Sequence, residues 1–322
     1  MSRRPLTADG AVELAVVERS GFDESRHLGA GLVVDATGAV VRGVGDVGAS
    51  IYPRSSLKPF QALAVRRAGA RFEGEQLVLT LASHAGTPRH QDAVRAMLAA
   101  HGNTPDDLGC PPALPLDPTA AHAATAPTRV AMECSGKHAG MLGACRVNGW
   151  DPGAYLDPAH PLQRAVVATV EAATAEIVDH IGVDGCGTPV VPVTLHGLAR
   201  AAAGLVSTDD PDARDLVDAV LAHPWAVDGP GRPNAVTIER LGIVAKLGAE
   251  GVMLMGVPGR AGLALKVLDG NLRAATLAAL ELLATTGLVD PAAARRVVDA
   301  VIPPVTGAGR AVGRIRPGAG LR

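Results

Sequence analysis

The chain has 322 residues and a formal net charge of −2, with 48% hydrophobic and 19% charged residues. This composition is typical of a globular protein with a sizeable buried core, and it excludes an intrinsically disordered chain. The nearly balanced charge gives no indication of a nucleic-acid or membrane partner. The least charged stretch, residues 274–289, contains Glu281 and is too short to cross a bilayer comfortably.

The N-terminus and the cysteines both predict a cytoplasmic location. Three acidic residues interrupt any apolar segment that could follow Arg3 and Arg4 as an export signal, namely Asp9, Glu13 and Glu18. The four cysteines are too sparse for a disulfide scaffold, so we expect reduced thiols. They are candidates either for core packing or for a metal site: Cys110, Cys134, Cys145 and Cys186.

Lysine is rare in this chain. Only four of the 30 basic residues are lysine, at positions 58, 137, 246 and 266, and the others are arginine. In such an arginine-rich background we expect lysine to persist where arginine cannot replace it. Of these two basic residues only lysine can lose its proton inside a protein, so each of the four is a candidate for a neutral-amine role. The alternative is chance survival on the surface.

The first half of the chain predicts strands and then helices. Strand-like runs at 15–17, 31–35 and 39–41 surround a Thr37-Gly38 turn and indicate a hairpin. A helix is expected from Ser55 or Ser56 to Arg67, since serine is a good cap and proline is tolerated in a first helical turn. Further helices are expected at 91–100 and up to about Gly149. A short apolar run at 77–81 precedes Ser83, and residues 103–128 look like a long surface loop.

The second half of the chain adds helices and a second strand pair. Helical patterns occupy 162–178, 213–222, 236–247, 272–285 and 292–301. A strand is expected at 189–195, and 252–257 with 263–268 predicts an antiparallel pair. Residues 303–322 form a glycine-rich tail that could pair at a sheet edge or fray. The pattern predicts a single domain, 1–322, with an α+β fold whose terminal strands share one sheet.

Ser55 and Lys58 stand three residues apart at the expected helix start. Their side chains would lie on one face, where a neutral lysine amine could activate the serine hydroxyl as a nucleophile. The helix N-terminus would add N–H groups that stabilise an oxyanion. Ser-x-x-Lys is common by chance, and the alternative is a helix-cap serine with a surface lysine.

Two further residues carry chemistry of the same type. Ser83 ends an apolar run, where a turn would expose its hydroxyl, although a polar turn is an equal alternative. Lys266 lies inside the apolar strand 263–268. It is either a solvated lysine on an edge strand or a second amine facing an active site.

Two glycine-flanked turns predict a metal site. Cys134 and Lys137 lie in one turn, and Asp184 and Cys186 in the other. Two thiolates and a third ligand could hold Zn²⁺ with a water in the fourth position, and the lysine would have to be neutral to donate its lone pair. The alternative is a pair of buried structural thiols.

These motifs, taken together, resemble the Rhizobium-type L-asparaginases from about Val17 to Asp269. The resemblance rests on five segments: Arg19-Ser20-Gly21-Phe22-Asp23-Glu24-Ser25-x-His27-x-Gly29, Arg54-Ser55-Ser56-x-Lys58-Pro59-x-Gln61, Ala82-Ser83-His84-Ala85-Gly86, Cys134-Ser135-Gly136-Lys137-His138-Ala139-Gly140-Met141 and Asp184-Gly185-Cys186-Gly187-x-Pro189.

The resemblance implies a fold similar to the serine β-lactamases and penicillin-binding proteins, with an antiparallel sheet from both termini flanked by a helical region, in a homodimer. It implies two Ser–Lys pairs, Ser55 with Lys58 and Ser83 with Lys266. It also implies zinc ligands and substrate-binding residues. The former are Cys134, Lys137 and Cys186, and the latter are Arg54, His84 and Asp184.

The resulting hypothesis is an amidohydrolase that cleaves the side-chain amide of L-asparagine through an acyl-enzyme on Ser55. Zinc would position the substrate rather than supply the nucleophile. One rival is a Ser–Lys hydrolase of the β-lactamase or esterase type, which the absence of a predicted export signal disfavours. The other rival is a non-catalytic regulator that binds a metal or an amino acid.

Overall fold

The computed structural model describes residues 4–322, so Arg3 lies outside the described residues. Its strands are β1 Val12–Arg19, β2 Phe22–Asp35, β3 Val40–Val44, β4 Ser50–Ile51, β5 Gly182–Val183, β6 Pro189–Val190, β7 Val193–Thr194, β8 Val244–Gly248, β9 Val252–Val257, β10 Ala261–Val267, β11 Val305–Gly307 and β12 Arg310–Pro317. Its α-helices are α1 Lys58–Arg67, α2 Gly74–Leu79, α3 Pro88–Ala100, α4 Pro118–Ala123, α5 Ser135–Asn148, α6 Pro161–Thr174, α7 Leu195–Ser207, α8 Pro211–Ala222, α9 Trp225–Asp228, α10 Pro233–Leu241, α11 Ala275–Thr285 and α12 Pro291–Val301.

The chain divides into two compact units, which are described separately. The first unit comprises Met1–Ser56, Pro192–Thr208 and Val236–Arg322, and the second comprises Leu57–Val191 and Asp209–Ala235. The expectation of a single domain stays a prediction. Among the helices of residues 4–322, none combines the length and the apolar character that crossing a membrane would require.

The first unit is built on an antiparallel sheet with the strand order β11-β12-β1-β2-β10-β9-β8, and β3 pairs with β2 beside this path. Strand β1 near the start of the chain pairs with β12 near its end, with Val16 opposite Arg316. The predicted α+β class, with terminal strands in one antiparallel sheet, is therefore confirmed. The glycine-rich stretch 303–322 forms β11, β12 and a short 3₁₀ turn.

Close backbone contact fixes helix α7 against this sheet. A Cβ atom at Gly262 on β10 would lie 2.2 Å from the carbonyl oxygen of Ala199 and 2.3 Å from the backbone nitrogen of Ala203. Only glycine at position 262 permits this approach of the α7 backbone. The side chains of β9 and most of those of β10 are buried, as expected for strands in the middle of a sheet.

For the first unit, one expectation is wrong in detail and one of the two alternatives for Lys266 is excluded. The helix predicted at 236–247 ends at Leu241, because Gly242 adopts a left-handed φ of +62° and the chain continues as β8. Lys266 is not on an edge strand, since β10 pairs with β2 on one side and β9 on the other.

The helix expected from Ser55 or Ser56 starts later. Residues Arg54–Leu57 form a 3₁₀ turn, and α1 begins at Lys58. The Ser56 hydroxyl donates to the carbonyl oxygen of Pro53 at 2.7 Å and so does not cap the helix.

The second unit is mainly helical, with α5 at its centre. Every residue of α5 from Ser135 to Cys145 is buried. Gly136 allows the backbone of Leu79 to pass closely, because a Cβ there would lie 2.5 Å from the Leu79 carbonyl oxygen. The stretch 103–128 contains a 3₁₀ turn, α4 and a β-bridge between Ala113 and Thr128.

Candidate active site

Lys58 is the first residue of α1 and is only 1% exposed. Its Nζ atom donates to the Ser83 hydroxyl at 2.9 Å and also to the carbonyl oxygen of Ala82. Both contacts lie within the second unit. A buried amine held against a hydroxyl can exchange a proton with it, which is the requirement for activating serine.

The segment after Ser83 is anchored by His84. The backbone N–H of Gly86 donates to Nδ1 of His84 at 3.1 Å, so the ring proton is on Nε2. Nε2 then donates to the Ser135 hydroxyl at 2.9 Å, and Ser135 donates to the carbonyl oxygen of Val130. Burial, then His90 and Lys58, lowers the pKa of His84 well below its usual value. Both ring nitrogens of this predicted substrate-binding residue therefore have partners inside the protein.

Cys134, Lys137 and Cys186, the predicted metal ligands, lie together in the second unit, and all three are buried. Lys137 Nζ donates to Cys186 Sγ at 3.0 Å and to Thr188 Oγ1 at 2.8 Å. A hydrogen bond from the Cys134 thiol is the main cause of the lowered pKa of Cys186, and Lys137 and His138 lower it further despite burial. The same hydrogen bond raises the pKa of Cys134. The lowered pKa favours the thiolate form of Cys186.

The pKa of Lys137 is raised in this cluster. Burial alone would lower its pKa, but the thiolate of Cys186, then Cys134, outweighs burial and raises the pKa above the ordinary value. The directions of the two pKa shifts favour an ammonium on Lys137 beside a thiolate on Cys186.

The donor set fits Zn²⁺, because two buried sulfur atoms and one amine converge and thiolates are preferred zinc ligands. His138 adds a buried Nε2 atom that has no hydrogen-bond partner within residues 4–322. Residues 4–322 contain no group of three or more His, Cys, Asp or Glu side chains placed to bind a metal. The predicted set differs from such a group because its third donor is a lysine, which must lose its proton to bind.

Asp184 lies at the turn that carries Cys186. Its carboxylate accepts from the backbone N–H of Gly185 at 2.8 Å, and the turn closes through a bond from the Gly187 N–H to the Asp184 carbonyl oxygen. Asp184 is partly exposed, and its charge contributes to the raised pKa of Lys137. The Asp184 carboxylate is therefore accessible to a small molecule and also interacts electrostatically with Lys137.

Three predicted residues belong to the first unit: Arg54, Ser55 and Lys266. Arg54 has a φ of +53°, an uncommon backbone conformation for a side chain of this size, directly before Ser55. Lys266 Nζ donates to the carbonyl oxygens of Val267, at 2.8 Å, and Glu250. Burial lowers the pKa of Lys266, against the opposing charges of Glu250 and Asp269. The predicted pairs Ser55–Lys58 and Ser83–Lys266 each have one member in either unit, and both pairs stay predictions.

Sequence reasoning missed two features of the second unit. It did not foresee the contact between Lys58 and Ser83, which are 25 residues apart. It also did not find Thr188, whose position two residues after Cys186 was the available signal.

Comparison with known families identifies the class of protein. A family profile described as L-asparaginase II matches residues 15–317. The chain therefore belongs to the L-asparaginase II family, which confirms the resemblance seen in the motifs and the predicted enzyme class, an amidohydrolase. No curated protein sequence matches significantly.

Similar solved structures are distant. Mglu is 16% identical over 81% of this chain and 67% of that chain, with a TM-score of 0.38. Mglu in its native form is 17% identical, covering 82% of this chain and 65% of that chain, with a TM-score of 0.39. A probable glutaminase from Bacillus subtilis complexed with 6-diazo-5-oxo-L-norleucine is 13% identical, covering 81% and 84%, with a TM-score of 0.37. This chain spans about two thirds of the length of the Mglu chains.

Proposed function

We propose that this protein is an L-asparaginase, which hydrolyses the side-chain amide of L-asparagine to L-aspartate and ammonia. The observation that carries the proposal is the buried amine of Lys58, which donates to the Ser83 hydroxyl. Lys58 stands three residues after Ser55 in the sequence, and the chain belongs to the L-asparaginase II family.

The proposed nucleophile is Ser55. Its Oγ attacks the amide carbon, and its proton passes to the amine of Lys58 or of Lys266, with the Ser83 hydroxyl as a relay between them. The proton is then delivered to the amide nitrogen, the C–N bond breaks and ammonia leaves an aspartyl ester on Ser55. Water attacks the ester, aspartate leaves and the serine recovers its proton. The lowered pKa of Lys266 supports this role, because it increases the fraction of neutral amine.

Charge complementarity supports two substrate-binding roles. The guanidinium of Arg54 suits the α-carboxylate of an amino acid, and the carboxylate of Asp184 suits its ammonium group. His84, with both ring nitrogens engaged, supports the segment that carries Ser83.

Zn²⁺ would be held by Cys134, Lys137 and Cys186. When bound, it supplies a fixed positive charge that orients a polar group of the substrate. The chain's own residues retain the proton transfers. The proposal also includes a homodimer and a fold of the serine β-lactamase type, for which the sheet of strands from both chain ends is the supporting feature.

The test compares Ser55→Ala with Ser83→Ala in an ammonia-release assay with asparagine and glutamine. We expect Ser55→Ala to abolish turnover while the circular dichroism spectrum stays unchanged. Labelling with a diazo-ketone analogue of asparagine, followed by peptide mass spectrometry, should place the adduct on Ser55. Retained turnover in Ser55→Ala, or an adduct on Ser83, would remove Ser55 from the nucleophile role. Cleavage of a chromogenic β-lactam without ammonia release from asparagine would favour the β-lactamase-type rival.

A further inference from the structure

Ser135 is a buried serine for which the proposed reaction has no use. It is the first residue of α5 and is completely buried. Its hydroxyl lies 2.8 Å from the carbonyl oxygen of Val130 and 2.9 Å from Nε2 of His84. A carbonyl oxygen can only accept, so the Ser135 proton is directed to Val130 and the Ser135 oxygen accepts the Nε2–H group of His84. The Gly86 N–H group, which donates to Nδ1 of the same ring, requires this direction independently.

His84 attaches the segment that carries Ser83 to the start of α5 at two points. The backbone N–H group of His84 donates to the carbonyl oxygen of Glu133 at 3.1 Å, and its ring donates to Ser135 two residues later. One hydrogen bond alone would leave the segment free to rotate about it. The bond to Ser135 is the second point, so it fixes the orientation of the segment as well as its distance from α5.

The same segment supplies both acceptors that the structure describes for the Lys58 amine. Nζ of Lys58 donates to the Ser83 hydroxyl at 2.9 Å and to the carbonyl oxygen of Ala82. These two groups directly precede His84 in the chain, so a rotation at His84 would move both of them relative to Nζ. Because hydrogen bonds weaken steeply as they depart from linearity, the contact between Lys58 and Ser83 depends on this orientation.

Removal of the Ser135 oxygen would leave His84 with an unpaired donor. Both side chains are completely buried, and a buried N–H group without an acceptor is costly. The ring reduces this cost by turning towards another acceptor, and the residues that precede it in the chain turn with it.

We propose that Ser135 is a positioning residue for the proposed amide hydrolysis. Through the ring of His84 it holds the Ser83 hydroxyl at the amine of Lys58. Ser135 is not a catalytic residue, because it acts only through His84. Its effect on turnover rests on the proposed function, whereas its effect on the Lys58 amine does not.

The first measurement follows the Lys58 amine without turnover. The chain has four lysines, so ¹³C and ¹⁵N labelling of lysine gives few signals, and loss of one signal in Lys58→Met assigns it. We expect this signal to shift in Ser135→Ala. Thr169→Val removes a buried hydroxyl that donates to the Ala165 carbonyl oxygen of its own helix, and it should leave the Lys58 signal in place. An unchanged Lys58 signal in Ser135→Ala would overturn the proposal, whether or not the protein is an asparaginase.

The second measurement is ammonia release from asparagine by the same variants. A small misplacement of reacting groups costs up to about 100-fold in rate, so we expect kcat of Ser135→Ala to fall by roughly 10- to 100-fold. KM should change little, because Ser135 does not touch the substrate. Thr169→Val should keep the wild-type kcat.

Two substitutions of His84 separate the hydrogen bond from packing, and they also serve if Ser135→Ala does not fold. His84→Gln keeps an amide N–H near the position of Nε2, whereas His84→Asn keeps only an acceptor near the position of Nδ1. We expect His84→Gln to retain more of kcat and to shift the Lys58 signal less. Ser135→Ala combined with His84→Asn should lose no more than the worse single variant, because both changes remove the same hydrogen bond.

The outcomes are distinct. Wild-type kcat in Ser135→Ala with a native circular dichroism spectrum, or a raised KM with unchanged kcat, would overturn the positioning role. Equal losses in His84→Gln and His84→Asn, or losses that multiply in the double variant, would show that Ser135 does not act through the His84 N–H group. If the wild-type protein releases no ammonia from asparagine or glutamine, the proposed function fails, and the Lys58 signal then decides for or against the positioning role.

Discussion

Replacing Thr188 by valine tests the charge pairing in the thiol cluster. Thr188 is completely buried, and its hydroxyl lies 2.8 Å from Lys137 Nζ and 3.3 Å from Cys186 Sγ. Valine has almost the same shape but offers a methyl group in place of the oxygen. Lys137 is 1% exposed, so water cannot take the place of the lost acceptor. The ammonium would keep Cys186 and lose one of its two described acceptors.

The magnitude follows from the charge on Lys137. A hydrogen bond to a charged group contributes about 1.5–3 kcal/mol to stability. We therefore expect Thr188→Val to lower the free energy of unfolding of the metal-free protein by about that amount, which raises the unfolded fraction by roughly 10- to 100-fold. Thr188→Ser keeps the hydroxyl and removes one buried methyl group, so its loss should be about 1 kcal/mol.

The assay is urea unfolding in the presence of a chelator, with both variants compared at the same pH. The slope of the transition should stay constant, so that the midpoint reports stability. If Thr188→Val loses no more stability than Thr188→Ser, then Lys137 does not depend on this hydroxyl and the ammonium–thiolate interpretation of the cluster is wrong.

Two further predictions concern packing and pH. Gly262→Ala should lower the free energy of unfolding by at least about 1–3 kcal/mol, because its methyl group would meet the Ala199 carbonyl oxygen. Gly204→Ala on α7 places its methyl group in open space and should be neutral or stabilising. Thermal unfolding of the two variants tests this difference. Burial lowers the pKa of His90 to about 4, so the unfolded chain binds its proton first. The contribution of His90 to the free energy of unfolding is complete above pH 6.5 and falls by about 3 kcal/mol as the pH is lowered to 4. His90→Gln should therefore reduce the pH dependence of stability, measured by urea unfolding at several pH values.

The strongly periodic segments of the fold were predictable from sequence. The pair β9–β10 and the helices α8, α11 and α12 lie within a few residues of their expected positions. Short apolar runs were not, since they suit a helix or a strand equally well. Strand β8 was expected to be helical for this reason. Helix α7 was not expected, although Thr194 caps it by accepting from the Gly197 N–H and its sequence is rich in alanine.

The candidate site was predictable as a set of residues but not as a set of contacts. The motifs indicated Lys58, Cys134, Lys137 and Cys186, and all four are buried. The sequence could not indicate that Lys58 meets Ser83, or that Tyr155 reaches His138, because partners 17 to 25 residues apart are brought together only by the packing of α5 and its neighbours.

The scarcity of lysine was an informative signal, although its meaning differs between sites. Lys58, Lys137 and Lys246 are at most 1% exposed and Lys266 is partly buried, so none of the four is an ordinary surface residue. The expectation of a neutral amine agrees with the lowered pKa of Lys266, whose Nζ faces neutral carbonyl oxygens. It does not hold for Lys137 in the metal-free chain, because thiolates outweigh burial there. Burial favours the neutral amine in both places, more strongly at Lys137, and the charge of the facing atoms then decides whether the amine keeps its proton.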